Sequence, residues 1–266
     1  MSSILTNVGA LVALQSLKST NTGLAKAQNE ISTGLRVATA KDNSSSWAIA
    51  ATMSSDVGTF KKLGESLTSA SALVSVARTA AEEIVDNLKM IQEKVVQAQE
   101  PGADTAKLDA DITAYSDTIT SIADSAQYNG INLVEAAGAD ATITVAIARD
   151  AAGALTAETM TVTSVAMSGM AGGITSASTP DDVDTLIDTA VAAAAAFGAA
   201  QIRIDSQNAF LGKQMDALKV GVGAYVDADM EEASARLQAL QVQQQLGIQA
   251  LSIANSSTQN MLALFR

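Results

Sequence analysis

The feature that most constrains the fold is an unbroken apolar row. From Leu63 it runs through Leu67, Ala70, Val74, Ala77, Ala81, Ile84, Leu88, Ile91, Val95 and Ala98, with spacings that alternate between four and three. That is a heptad seam, and it predicts one long helix packed against others. At 1.5 Å per residue the row alone gives about 54 Å. A compact chain of this length would have a radius of gyration of about 18 Å, so an elongated molecule is expected. Pro101-Gly102 ends the helix. Leu108, Ile112, Tyr115, Ile119 and Ile122 mark a second helix long enough to return antiparallel along the first, and Tyr128-Asn129-Gly130 closes it with a turn.

The carboxyl half repeats the arrangement. Leu186, Ala190, Ala193, Phe197, Ala200, Ile204, Leu211, Met215, Leu218, Val222 and Tyr225 form one seam, in which Gln207 is the polar member. Val226, Met230, Ala233, Leu237, Leu240, Gln244, Gly247, Leu251, Ala254, Thr258, Met261 and Phe265 form another. The amino terminus does likewise through Ala10, Leu14, Leu17, Asn21, Leu24, Gln28 and Ile31. These terminal stripes are broken by Asn21, Gln28, Gln244 and Gly247, so they are marginal as isolated helices and require a partner surface. Residues 138–180 differ in texture. Gly, Ala, Thr and Ser dominate there, and segments 142–147 and 160–165 alternate with the two-residue period of half-buried strands. The fold class is therefore mostly α, an elongated long-helix bundle or coiled coil with a small β-rich insert whose entry points lie close together.

Composition decides which chemistry such a frame can carry. Hydrophobic residues are 48% of the chain but aromatics only 3%, so the core is expected to be thin and built from Ala, Val, Ile and Leu. With no His and no Cys, imidazole acid–base chemistry, thiol nucleophiles, disulfides and thiolate-bound metals are excluded. No G-x-S-x-G elbow occurs, and no catalysis, cofactor or metal is expected. A formal charge of -12 argues against nucleic acid and anionic lipid as partners. The amino terminus has no basic leader before an apolar run, so no cleaved signal peptide is expected. No run reaches the roughly 20 apolar residues needed to cross a bilayer, the Ala-rich 191–200 included, so an integral membrane protein is not expected.

Asp227, Asp229, Glu231 and Glu232 read as a helix start, because the glycine and the later glutamate of a calcium loop are missing. Asp181, Asp182 and Asp184 after Thr179-Pro180 read the same way. Gly221-Val222-Gly223 reads as a weak point between two helical segments. Trp47, beside Asp42-Asn43-Ser44-Ser45-Ser46, reads as packed under the adjoining loop, or against a neighbour if the chain assembles.

Residue strings at both ends add a resemblance. Ile4, Thr6, Asn7 and Ala10 are followed by Ile31-Ser32-Thr33-Gly34-Leu35-Arg36-Val37, then by Asp42 and Ala48-Ile49-Ala50. Tyr128-Asn129-Gly130-Ile131-Asn132-Leu133 gives an aromatic-Asn-Gly turn. Near the end stand Asp227-Ala228-Asp229-Met230, Gln244-Gln245-Leu246-Gly247, Ala254-Asn255 and Leu262-Ala263-Leu264-Phe265. In this order and spacing the chain resembles bacterial flagellin over about residues 1–135 and 185–266. It departs from the family at Asn43 through Trp47, where Asp, Ala, Ala and Gly are usual.

The resemblance implies a structural subunit, not an enzyme, that polymerises into the extracellular filament used for swimming. It implies filament-core coiled-coil segments at 1–44 and 227–266, unfolded in the monomer and ordered on assembly. Residues 45–137 and 181–226 would form an outer helical rod around the variable 138–180 insert. The residues expected at assembly interfaces are Leu17, Leu24, Ile31, Arg36, Asp42, Trp47, Met90, Gln92, Asp229, Leu240, Leu251, Leu262 and Phe265. The implied partners are further copies of the chain, other flagellins in a mixed filament, an export chaperone at the carboxyl terminus, and hook–filament junction and cap proteins. Met90 and Gln92 stand where many relatives carry two arginines used in protofilament contact and in recognition by an animal innate receptor. Neither can donate a bidentate guanidinium bond, so weak receptor recognition is expected. The alternatives are a hook–filament junction protein, which shares weak terminal heptads, and a coiled-coil interaction module, which would carry denser charge pairs than a 17% charged chain.

Overall fold

The computed structural model describes residues 7–135, 138–150 and 153–263, with side chains as far as residue 256. The elements are α1 (Val8–Thr33), α2 (Ser44–Ala98), α3 (Thr105–Ser125), β1 (Gln127–Tyr128), β2 (Ile131–Asn132), β3 (Ala141–Arg149), β4 (Leu155–Val162), α4 (Pro180–Val226) and α5 (Met230–Ala263). They fall into two compact units, residues 58–216 and residues 1–57 with 217–266.

In the 58–216 unit the heptad row is the core. Leu67, Val74, Ala81, Ile84, Leu88, Ile91 and Val95 are each 0% exposed. The helix extends back past the row to Ser44, 55 residues in all. Its first turn is capped by Asn43, whose Oδ1 accepts from the Ser46 N–H at 3.1 Å. Beyond Ala98 the chain turns through Pro101-Gly102, with Gly102 at φ 92. Lys94 near the end of α2 then meets Asp111 near the start of α3 at 3.2 Å, as a short connection requires. Within this unit α4 runs antiparallel to α2. The Ser71 hydroxyl donates to Asp205 (2.9 Å), Arg78 Nε to Gln201 (3.0 Å) and Gln92 Nε2 to Asp184 (3.3 Å), so partner numbers fall as those of α2 rise. Phe197, Ile204 and Leu211 supply the α4 side of the core. The start of α4 is the expected acidic cap. Asp182 accepts from the Thr179 N–H (2.9 Å) and hydroxyl (2.8 Å), and these two bonds hold its carboxyl below the usual aspartate range.

Two hairpins follow α3, the first at 127–132 ahead of the insert and the second within it. Asn129 (φ 52) and Gly130 (φ 79) both lie in the left-handed region, the geometry a two-residue hairpin between β1 and β2 demands. Buried Asn132 then donates from Nδ2 to the Ala123 carbonyl (2.7 Å) and accepts from the Val134 N–H (2.9 Å), tying the end of α3 to the hairpin. Antiparallel β3 and β4 carry a bulge between Thr144 and Ala146, with Ala141, Ile143, Val145, Met160 and Val162 turned inward. The second strand is Leu155–Val162, not 160–165. Past Val162 the backbone leaves β3 and bonds elsewhere, Val165 N to the Leu133 carbonyl (2.8 Å) and Met167 N to that of Val134 (2.9 Å).

Four further expectations are corrected. Gly221-Val222-Gly223 does not divide the helix, which continues through Val226. Tyr225 is 40% exposed and Val226 takes the buried place assigned to it. Trp47 is 41% exposed, because α2 starts at Ser44 and puts the indole on the outward side of its first turn, with Ala50 on the inward side. Among the described residues one helix, α4, is by length and composition apolar enough to cross a membrane, with a mean hydropathy of 1.4 over 18 residues. Much of that mean comes from alanine, with a methyl group per residue; Phe197 is buried in the unit's core, but only 17% of the window is buried, and Val191 and Ile202 on the same helix are exposed.

Charge is distributed unevenly. Residues 108–202 hold twelve acidic residues against Arg149 alone, so nearly all of the chain's -12 lies there. All twelve except Asp109 are exposed.

Candidate assembly interface

The unit built from both chain ends pairs α1 with α5 antiparallel. Asn7 Nδ2 donates to the Ala254 carbonyl (2.8 Å), Asn21 Oδ1 accepts from Gln244 Nε2 (2.8 Å), and Glu30 lies 4.0 Å from Arg236. Between these contacts Leu17 rests on Gly247 and Leu240 on Gly23. On α5 the row reads as its spacing requires, with Ala233 buried and Leu237, Leu240, Gln244, Gly247, Leu251 and Ala254 half-buried, although Met230 is exposed.

On α1 the phase differs from the sequence reading. Ala10, Leu17, Leu24 and Ile31 are half-buried, but the positions between them are Ala13, Thr20 and Ala27. Leu14, Asn21 and Gln28 are exposed, Leu14 by 54%. Asn21, although exposed, still reaches α5 through Gln244, and Leu240 of α5 sits over Gly23.

Both ends of the pair are fastened. Asn7 Oδ1 accepts from the Ala10 N–H (3.0 Å), so one side chain caps α1 and grips α5. At the other end Gly34, at φ 72, terminates α1 and its N–H donates to the Glu30 carbonyl (2.9 Å). Leu35 then bridges to Asp227, Arg36 N donates to the Val226 carbonyl (2.7 Å) and Ala228 N to that of Gly34 (2.9 Å). Val37, Ala50 and Val226, with Leu35 and Val222 against them, form a small core beneath. The Gly34-to-Val37 and Asp227-to-Met230 strings are therefore two halves of one junction. Asp229 caps α5 by accepting from the N–H groups of Glu231 (2.9 Å) and Glu232 (3.2 Å). Asp42 accepts from the Thr39 N–H and hydroxyl, both at 2.9 Å, and these bonds hold its carboxyl below the usual range.

Of the expected interface residues, Leu17, Leu24, Ile31, Leu240 and Leu251 come together in the α1/α5 seam. Arg36 and Asp229 flank the junction, Arg36 Nη2 donating to the Tyr225 carbonyl (3.3 Å). Asp42 and Trp47 lie in the loop and helix that follow. Met90 and Gln92 belong to the 58–216 unit, where Met90 is 47% exposed and Gln92 meets Asp184. The side chains of Thr258, Met261 and Leu262 lie outside the described residues, as do Phe265 and the string residues Ile4 and Thr6. Sequence reasoning missed Glu30, whose side chain is 8% exposed between Lys26 (3.9 Å) and Arg236. A buried glutamate in a helix gives no local signal until its partner helix is placed beside it.

Apart from the seam, the pair presents much uncovered apolar surface. Val8, Leu11, Val12 and Leu14 on α1, and Val242, Leu246, Ile248 and Ile253 on α5, are each at least 54% exposed. The family model described as bacterial flagellin N-terminal helical region matches residues 4–139, and that for the C-terminal helical region matches 181–265. A flagellin of Brucella melitensis is 41% identical across 100% of both chains. Flagellin FljM of Caulobacter vibrioides is 37% identical across 100% of this chain and 99% of its own. Flagellin C of Rhizobium meliloti is 34% identical across 100% of both. With both helical regions matched and such relatives aligned from end to end, the chain belongs to the bacterial flagellin family.

Proposed function

We propose that this chain is the structural subunit of an extracellular helical filament that drives swimming. The observation that carries the reading is the apolar surface left open on α1 and α5. A helix pair in water keeps its outer faces polar, and contiguous apolar patches on a soluble chain mark contact surfaces. Copies of one chain joined head to tail through unlike patches make an open filament, and burial in the polymer supplies the stability that the thin terminal stripes lack alone.

In this reading segments 1–44 and 227–266 are the polymerising core, 45–137 and 181–226 the outer rod, and 138–180 the variable insert. Leu17, Leu24, Ile31, Leu240, Leu251, Leu262 and Phe265 close the core, with Arg36, Asp42, Trp47, Met90, Gln92 and Asp229 in contacts between copies. The outward indole of Trp47 supports its place in that set. The partners are other copies, related flagellins in mixed filaments, an export chaperone at the carboxyl terminus, and junction and cap proteins. The role is structural, without catalysis.

The test is electron microscopy of the seeded full-length chain beside a chain lacking residues 227–266. Filaments from the first and none from the second are expected. A truncated chain that grows normal filaments would remove the terminal segment from the interface.

A further inference from the structure

Gly23 and Gly247 occupy the middle of long helices, where glycine is the least favourable residue after proline. Each lies under a leucine from the opposite helix. A methyl group built on Gly247 would come within 3.2 Å of Leu17 Cδ1, and one on Gly23 within 3.4 Å of Leu240 Cδ2. The arrangement is reciprocal, one knob and one hole on each helix, and between the two contacts lies the Asn21–Gln244 hydrogen bond (2.8 Å).

This set discriminates between alignments. Slipping α5 by one heptad in one direction would set Leu17 against Leu240, Gly23 against Ala233 and Asn21 against Leu237. Slipping it in the other would set Leu17 against Ala254, Gly23 against Gly247 and Asn21 against Leu251. Either slip strands the Asn21 amide opposite a leucine, and each replaces a filled hole by a collision or a void. The apolar remainder of the seam, Ala, Leu and Ile at heptad spacing, accepts a slip of seven with little change, whereas the fastenings at its two ends, Asn7 on Ala254 and Leu35 on Asp227, would part. We infer that, between those end fastenings, Leu17, Gly23, Leu240 and Gly247, with the Asn21–Gln244 bond, are the key that selects the register along the seam and so the alignment in which copies polymerise. The inference rests on the assembly reading above.

The chain has no cysteine, so introduced thiols report alone. A Cβ at position 9 lies 3.9 Å from that of Ala254, inside the window of about 3.5–4.5 Å that a disulfide needs. Gly9→Cys with Ala254→Cys therefore reports the native register. Ser16→Cys with Ala254→Cys reports a slip of seven residues, about 10 Å. Full-length chains are oxidised under assembly conditions and the internal disulfide is read by gel mobility. Without further change, the native pair is expected to form at least tenfold more than the slipped pair. Gly23→Leu with Gly247→Leu is expected to abolish that preference. The fourfold exchange Leu17→Gly, Gly23→Leu, Leu240→Gly, Gly247→Leu swaps every knob with its hole and is expected to restore it. Filled holes that leave the preference unchanged, or an exchange that fails to restore it, would overturn the key. Filaments that grow while neither disulfide forms would overturn the native alignment of the terminal helices together with the key.

Discussion

At the scale of single residues, two glycines one turn from the end of α4 make opposite demands. A methyl on Gly221 would touch Met53 at 3.6 Å, an ordinary contact, whereas one on Gly223 would collide with the Asp227 carboxylate. Gly221→Ala is therefore expected to raise stability by up to about 1 kcal/mol through helix propensity. Gly223→Ala is expected to lower it, because the Asp227 carboxylate must leave its rotamer to admit the methyl. Urea unfolding of the two variants checks both signs. Asp42 offers a pH test in the same unit. Its folded-state pKa lies below the unfolded value, so its bonds to Thr39 contribute fully above the ordinary aspartate value of about 3.9. The contribution is lost as pH falls through the lowered value. Thr39→Val keeps the backbone donor and removes the hydroxyl, so an NMR titration should find the Asp42 carboxyl moved part of the way back up. An unmoved titration would mean the hydroxyl does nothing.

At the scale of elements, the buried row of α2 and its exposed neighbours separate cleanly. Leu88→Ala, from a fully buried site, is expected to cost about 2–5 kcal/mol. Met90→Ala, two residues on and exposed, should stay within about 0.5 kcal/mol, and chemical denaturation of the two variants compares them. The contrast with α1 shows what sequence can specify. The α2 row was legible because every position from Leu63 to Ala98 is apolar and only one phase fits. In α1 the pairs Ala13/Leu14, Thr20/Asn21 and Ala27/Gln28 leave two phases open, and the choice of Ala13, Thr20 and Ala27 depends on the partner helix from the far end of the chain, whose Leu240 sits over Gly23. The junction strings were legible as strings, but their pairing through Leu35 and Asp227 was not, since a backbone bridge leaves no mark on side-chain chemistry. The loop-packed reading of Trp47 failed for a related reason: where a helix starts decides which way its first residues face.

At the scale of the molecule, polymerisation gathers many copies of a strongly acidic stretch, residues 108–202. Like charges brought together repel, and at about 0.15 M salt the screening length falls to about 8 Å. Filament growth followed by light scattering should therefore quicken as salt rises from low to physiological strength, and growth that slows would show attraction between charges in control instead. Ile253→Asp places a carboxylate on an exposed apolar face and outside the seam. It is expected to abolish filaments in electron micrographs while leaving the circular dichroism of the 58–216 unit's helices in place. Normal filaments from that variant would show that this face stays wet in the polymer.

The Asn7–Ala254 bond joins residues 247 positions apart. Gln127 and Asn132 find each other across a single turn. The entropy of closing so long a loop must be met before any terminal contact offsets it, whereas local hairpins and turns close early. The consequence is one of timing: the two ends join last, and only in a chain whose final helix has already been made.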